Sequence, residues 1–198
     1  MLTNYRFKIL PPVVKNLLII NILLFITTGV IQGAPFNINL TQILGLHYWQ
    51  SDLFKPWQIV TYMFMHGNLS HIILNMIPVY FLGVHLENRW GSKRFLNYYL
   101  LTGFGAAFLH YLIIHFQILN LQAKMNPNEI MMVLNEGHTI LFEGKNYINQ
   151  NMANLNHFYN TPVVGASGSL FGILFAFGAL FPNVVLYLYF AIPIKAKY

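Results

Sequence analysis

Cysteine is absent from the 198 residues, and acid is scarce, with five Asp and Glu against eleven Lys and Arg. The first absence excludes a disulfide framework and a thiolate metal site and says nothing further about compartment. The second leaves a net charge of +6. The basic residues flank apolar runs and form no stripe, so the excess fits membrane topology and not a nucleic-acid surface. Charge of either sign is missing altogether from residues 16–51, 56–86, 95–123 and 146–194, gaps that a soluble domain does not leave. No His-Glu-x-x-His occurs and no carboxylate stands near His66 and His71 in the sequence, so no metal or other cofactor is expected.

What is present is apolar. The chain is 56% hydrophobic, 16% aromatic and only 8% charged, the composition of a polytopic membrane protein. The uncharged stretches predict about four transmembrane helices, near residues 13–31, 68–86, 95–119 and 167–181, in an all-α membrane helix bundle forming one domain over residues 1–198. The first apolar core has no small-residue cleavage pattern after it and reads as a retained helix, not a cleaved signal. Leu46-His47-Tyr48-Trp49 is expected at the headgroup level, and His47, His138 and His157 in solvated loops. Asn68 or Ser70 is expected to cap the second span, with Pro78 kinking it. Residues 120–160 carry ten asparagines and are expected to form an extracytoplasmic insertion that covers the serine described below, too polar to bury a core of its own. Within it, Asn126-Pro127 is expected to cap a short helix that Gly137 ends. The apolar stretch from Leu186 to Pro193 marks the expected start of a further span.

Alternating sides along the spans puts Arg6, Lys8, Lys15, Arg89, Lys93, Arg94, Lys195 and Lys197 on one side and Lys55, Lys124 and Lys145 on the other. That bias places the N-terminus in the cytoplasm. Ser167 and the start of the second span then share the outer half of the bilayer. From Ser167 to Phe181 a helix covers about 22 Å, against a hydrocarbon core of about 30 Å. Residues 161–166 must supply the missing depth in a non-helical form, which is tolerated only where protein or water satisfies the backbone. Ser167 is thereby expected at a helix start, beside free amide donors and the positive end of the helix dipole. His71 and Asn75, four apart, lie on one helical face at the same depth. A polar pair inside a span points to function, while polar contacts between helices account for it equally well. Gly165-x-Ser-Gly with Gly172 and Ala176 is, taken alone, a close-packing face.

Taken together, the motifs resemble the rhomboid family of intramembrane serine proteases. His66-Gly67-Asn68-Leu69-Ser70-His71-Ile72-Ile73-Leu74-Asn75 is similar to the family's His-x-x-x-Asn segment, Glu87-Asn88-Arg89-Trp90-Gly91 to its Glu-x-Arg-x-Gly turn, and Gly165-Ala166-Ser167-Gly168 to its Gly-x-Ser-Gly motif. The resemblance runs from about Trp57 to Pro182. It implies a six-helix core of which about four helices are present. It also implies an intramembrane serine endopeptidase that cuts in or near transmembrane segments of membrane proteins, with Ser167 as nucleophile and His71, Asn75 and the Ser167 amide as oxyanion donors. His66 would belong to the supporting hydrogen bonds, and Glu87 and Arg89 would have a structural part in their turn. The partners implied are substrate transmembrane segments and the lipid bilayer, without nucleic acid, and the location is the inner membrane of a bacterial cell. Two departures stand out. Trp57-Gln58 replaces the family's Trp-Arg, and no histidine follows Ser167 to serve as the family's general base, so this chain by itself is expected to be inactive. The face of Gly168, Gly172 and Ala176 is expected to be the groove that the family's sixth helix fills, turned in this chain to lipid or to the third span. The alternative is a non-catalytic relative that binds membrane segments. A transporter would predict paired inverted repeats, and none is seen.

Overall fold

The computed structural model describes residues 7–188 and 192–197. Arg6, one of the residues used to orient the chain, and Tyr189 to Ala191 of the last apolar stretch lie outside them. In chain order, α1 (Pro12–Gln32) leads through the short α2 (Leu40–Leu44) and α3 (Gln58–Thr61) and a 3₁₀ turn (Tyr62–Phe64) to α4 (Leu69–Trp90) and α5 (Ser92–Gln122). The insertion forms α6 (Pro127–Phe142) and α7 (Gln150–Asn160), and α8 (Ser167–Leu180) follows. Among the described residues, α1, α4 and α5 are long and apolar enough to cross a membrane, and α8 is a shorter apolar helix of 14 residues. The chain is an all-α membrane helix bundle, and the expected boundaries of its spans move by a few residues, most at the end of α4.

α4 and α1 begin where side chains take up their first N–H groups. In α4 the Asn68 Oδ1 accepts the His71 N–H at 2.8 Å and the Ser70 hydroxyl at 2.7 Å, so of the two expected caps Asn68 is the acceptor and Ser70 its support. The helix runs on through Pro78 to Trp90. At the head of α1, Pro11 and Pro12 provide no side-chain cap. The donors of Val13 and Val14 are taken instead by Glu87, at 3.0 and 2.8 Å, and the Ser92 hydroxyl donates to the same carboxylate at 2.6 Å. A buried carboxylate on helix donors that have no partner within the helix, at the positive end of the α1 dipole, is a charge-assisted tie between α1 and the α4–α5 turn. Of the two charges expected to shape that turn, Glu87 does so. Arg89 is exposed and has no ion-pair partner among the described residues.

α8 packs between α4 and α5, and α1 packs on α4. Their common core holds Val14, Leu17, Val79, Leu86, Phe95, Tyr99, Ile173 and Phe177. The outward faces carry Leu23, Ile26, Phe81, Phe108, Phe116, Phe171 and Phe175, as apolar helices in a bilayer do. After Pro182 the described residues show no further span. They form an antiparallel pair, β1 (Val185–Leu188) and β2 (Ile192–Lys195), with Val185 opposite Lys195, folded back so that the Ala196 carbonyl approaches Gly178 of α8.

The insertion differs from its expectation. Asn126 and Glu129 form a reciprocal capping box with Pro127 at the first position, as the sequence indicates, but the helix passes through Gly137 and stops at Phe142. Gly137 is instead where α6 meets α7, because a Cβ there would run into the Asn156 and Asn160 amides. Asn160 donates to Asn156 at 2.8 Å, and Asn156 donates to Asn146 at 3.1 Å. Val133, Met152, Leu155 and Tyr159 bury one another against Ile118 and Tyr48. Residues 120–160 thus contribute to a small core that Ile118 and Tyr48 complete. Their apolar residues are few but fall on the facing sides of two helices, and α5 and Tyr48 complete the cluster. α6 and α7 pack on each other, and α7 packs on α5.

Replacing Glu87 with Ala leaves the Val13 and Val14 donors without their acceptor and should destabilise the bundle by about 3 kcal/mol. Gln, which retains one acceptor oxygen, should cost less. Reversible unfolding in mixed micelles measures both, and an Ala variant within experimental error of the parent would show that water replaces the carboxylate.

Candidate functional site

Ser167 is positioned by the strand-like segment before it. Leu46 and Val163 exchange two backbone bonds, at 2.8 and 2.9 Å, and the Gly165 N–H donates to the Tyr62 carbonyl at 2.9 Å. These bonds satisfy the irregular backbone that a short membrane helix requires. Gly165 then turns with φ +124°, a conformation that side chains strongly disfavour. Space imposes the same choice. A Cβ at Gly165 would lie 2.7 Å from His71 Nε2 and 2.9 Å from its Cε1. The same point is 3.6 Å from Ser167 Oγ. The bend thus brings the first residue of α8 and the first turn of α4 to one place, with the imidazole and the hydroxyl both beside a residue that has no side chain.

On the α4 side, the Asn68 cap fixes the start of the helix. Asn75 is buried, and its Nδ2 donates to the His71 carbonyl at 3.0 Å, so it braces the His71 turn and is not bonded to Ser167. His66 stands edge-on to His71, with ring centroids 5.0 Å apart. It is 3% exposed, and neither ring nitrogen has a partner. His66 lies in the turn ahead of α4, outside the spans. Burial lowers its pKa from the usual 6.5 to about 4, helped by its proximity to His71, so it is neutral near pH 7. Among the described residues no three His, Asp or Glu side chains converge, and the His66–His71 pair has no third ligand beside it.

The opposite wall is α5. A Cβ at Gly168 would meet Ala106, and one at Gly172 would meet Thr102, each at 2.5 Å. The Ser169 hydroxyl donates to the Tyr99 carbonyl at 2.7 Å, and the Tyr62 hydroxyl donates to the Gly103 carbonyl at 2.7 Å. Two residues along a helix point to opposite sides, so Ser169 faces α5 while Ser167 lies beside Gly165 and His71. The small-residue face is therefore filled by the third span. A groove left there for a further helix is ruled out, because Gly168 and Gly172 already hold α5 at close range.

Several of these residues escape a reading of the sequence. Gln58, where the resemblance expects arginine, is fully buried. It accepts the N–H groups of His47 and Lys55 and donates to the carbonyls of Ile43 and Leu53. A neutral amide that both donates and accepts can close this loop where a guanidinium can only donate. His47 is buried, not solvated, and its Nε2 is 2.9 Å from Gln42 Oε1. Leu46 and Tyr48 are buried with it, while Trp49 remains exposed, and Tyr48 packs against α6 and α7. His115 is bonded to Tyr48, His110 and His157 line a cavity of about 260 Å³ with Tyr48 and Tyr111, and His138 is exposed on α6. No imidazole among the described residues is hydrogen-bonded to Ser167.

Residues 53–120 match the family model for the rhomboid domain, a stretch that contains His71, Asn75 and the Glu87 turn but not Ser167. Rhomboid-like protease 3 of Toxoplasma gondii is 37% identical over 49 residues, 25% of this chain and 19% of that protein. RHOMBOID-like protein 6, mitochondrial, of Arabidopsis thaliana is 34% identical over 55 residues, 28% of this chain and 18% of that protein. RHOMBOID-like protein 12, mitochondrial, of the same plant is 28% identical over 148 residues, 73% of this chain and 36% of that protein. The chain thus spans between about a fifth and a third of the length of these relatives. All three are eukaryotic and two are named mitochondrial, so they lend no support to the expectation of a bacterial inner membrane. With the His-x-x-x-Asn helix, the Glu87 turn and an apolar helix that begins at Gly-x-Ser-Gly, these matches support a rhomboid family membrane protein.

Proposed function

We propose that Ser167, His71 and Asn75 form the nucleophile and oxyanion side of an intramembrane serine endopeptidase acting on peptide bonds in or near transmembrane segments of membrane proteins. The observation that carries this reading is the meeting at Gly165, where the Ser167 hydroxyl and the His71 Nε2 flank one backbone position at the start of α8. Ser167 Oγ would attack the peptide carbonyl carbon. The oxygen that takes the charge would face the Ser167 N–H, one of the unpaired donors of α8, and a proton on His71 Nε2. Asn75 would act by holding the His71 turn and through its second N–H. The serine proton would pass to a base and from it to the departing amine, and water would then release the acyl group.

The base is the open position. With no imidazole among the described residues bonded to Ser167, the chain of 198 residues is expected to give only background turnover, since a serine hydroxyl needs an adjacent base at neutral pH. The same unpaired hydroxyl favours a second reading, a non-catalytic relative that binds transmembrane segments without cutting them. The charge distribution supports a cytoplasmic N-terminus, with α6 and α7 on the opposite side.

A polypeptide carrying further family helices with a histidine, added to the chain in liposomes, should restore cleavage of a transmembrane substrate and labelling of Ser167 by a fluorophosphonate. Ser167→Ala should abolish both. Binding of the substrate segment without cleavage or labelling would select the non-catalytic reading, and strong cleavage by residues 1–198 alone would show that His71 or another internal imidazole is the base.

Gly165→Ala should reduce fluorophosphonate labelling of the complemented protein by at least about 100-fold, because the new methyl group is strained at φ +124° and overlaps the His71 ring. Labelling at the parent rate would separate the Gly165 bend from the chemistry.

For His66 the unfolded chain takes up a proton below pH 6.5 that the folded chain refuses until about pH 4. Stability should therefore fall as pH drops from 6.5 towards 4. His66→Gln should flatten that part of the profile, and an unchanged slope would assign the pH dependence to another group.

A further inference from the structure

The end of the bundle away from Ser167 gathers most of the positive charge. Following the helices through their reversals, Lys8, Lys15, Arg89, Lys93, Arg94, Lys195 and Lys197 fall at this end with one acid, Glu87. That carboxylate is engaged by Val13, Val14 and Ser92. The other acids, Asp52, Glu129, Glu136 and Glu143, belong to the opposite end. Within the basic end lies a cavity of about 420 Å³ lined by Phe7, His85, Asn88, Arg89 and Phe181.

Its walls are held in place. Asn88 accepts the Lys8 N–H at 2.9 Å and donates to the Lys8 carbonyl at 2.8 Å, which ties the segment before α1 to α4 and sets Phe7 beside His85, with ring centroids 5.8 Å apart. Phe177 and Phe181 stand edge-on to His85 at 5.8 and 6.1 Å. His85 Nδ1 is 2.8 Å from the Phe81 carbonyl. A carbonyl only accepts, so Nδ1 carries the proton and Nε2 is left for a ligand. Arg89 brings a guanidinium with no ion-pair partner among the described residues, and a guanidinium fork suits a phosphate oxyanion. From His85 towards the centre of the bilayer, Phe81, Ile77 and Ile73 repeat every four residues along α4, all exposed. A ligand that fits both features has an anionic phosphate at one end and a hydrocarbon tail at the other.

We propose that this cavity binds the headgroup of an anionic phospholipid, with its phosphate on Arg89 and an acyl chain along Phe81, Ile77 and Ile73. Basic pockets at the ends of membrane helices select such headgroups, and burial of the acyl chain separates this ligand from a free phosphate ion. The inference is independent of the chemistry at Ser167.

The test uses the whole chain purified in a neutral detergent and titrated with dihexanoyl phosphatidylglycerol, dihexanoyl phosphatidylcholine or inorganic phosphate, with the thermal unfolding midpoint as the reading. Phosphatidylglycerol should raise the midpoint saturably while the other two do not. Arg89→Gln should weaken that response about tenfold without moving the lipid-free midpoint. Lys93→Gln makes the same charge change outside the cavity and should leave the response within about twofold. Equal weakening in both variants would reduce the effect to the general positive field and overturn the site. An equal response to phosphatidylcholine would make it a plain apolar groove, and an equal response to phosphate would make it a site for a soluble anion; either overturns the proposal.

Discussion

A peptide group without a partner is costly inside a bilayer, and in this chain that constraint falls on residues 161–166. α8 is too short to cross, so the backbone ahead of it has to run irregularly at depth. Its polar groups are met by Leu46 on one side and by the Tyr62 carbonyl on the other. Those partners dictate much else. Leu46 has to be buried, which draws in His47 and Tyr48 and requires Gln58 to close the loop around them. Tyr62 has to sit against the middle of α5, where its hydroxyl is bonded to the Gly103 carbonyl. The glycines that allow α8 to lie against α5 follow from the same geometry. The placement of Ser167 beside His71 results from satisfying a backbone, before any chemistry is considered.

The two ends of the bundle solve different problems. At the serine end, loops and short helices satisfy backbone and enclose polar side chains, leaving His66 without partners beside His71. At the basic end the helices reverse tightly, and the tie is one carboxylate. Glu87 joins the start of α1 to the α4–α5 turn across more than 70 residues of sequence. Asn88 does the same for the segment before α1, and Arg89 is left for solvent or a ligand. Three consecutive polar residues on one helix turn thus have three different sets of partners, because successive positions on a helix point about 100° apart.

The insertion shows how little apolar surface is needed once a scaffold exists. α6 and α7 have few large apolar residues and many asparagines, and alone they would be marginal. Docked on α5 they share Ile118, Tyr111 and Tyr48, and their asparagine amides pair with one another at Gly137, where the helices come closest. Composition alone points to an insertion without a core of its own. The arrangement of the same residues on two facing helices gives a hairpin with a small core.

Much of this was legible in the residues. The charge-free gaps marked α1, α4 and α5, since 20 or more apolar residues have one stable form in lipid. Asn68 and Asn126-Pro127 marked helix starts, because their side chains serve orphan donors locally. The shortness of the run after Ser167 required an irregular approach to it, and Gly165-Ala166-Ser167-Gly168 and His71-x-x-x-Asn75 announced which residues to compare. Other features depend on contacts between segments far apart in the chain, which no local pattern encodes. Glu87 capping α1, Gln58 filling an arginine position, the burial of His47 and the role of Gly137 as a contact and not a stop are of this kind. So is the choice of α5 as the partner for Gly168 and Gly172. A small-residue face permits close approach by any helix, and only the folded bundle decides which one arrives.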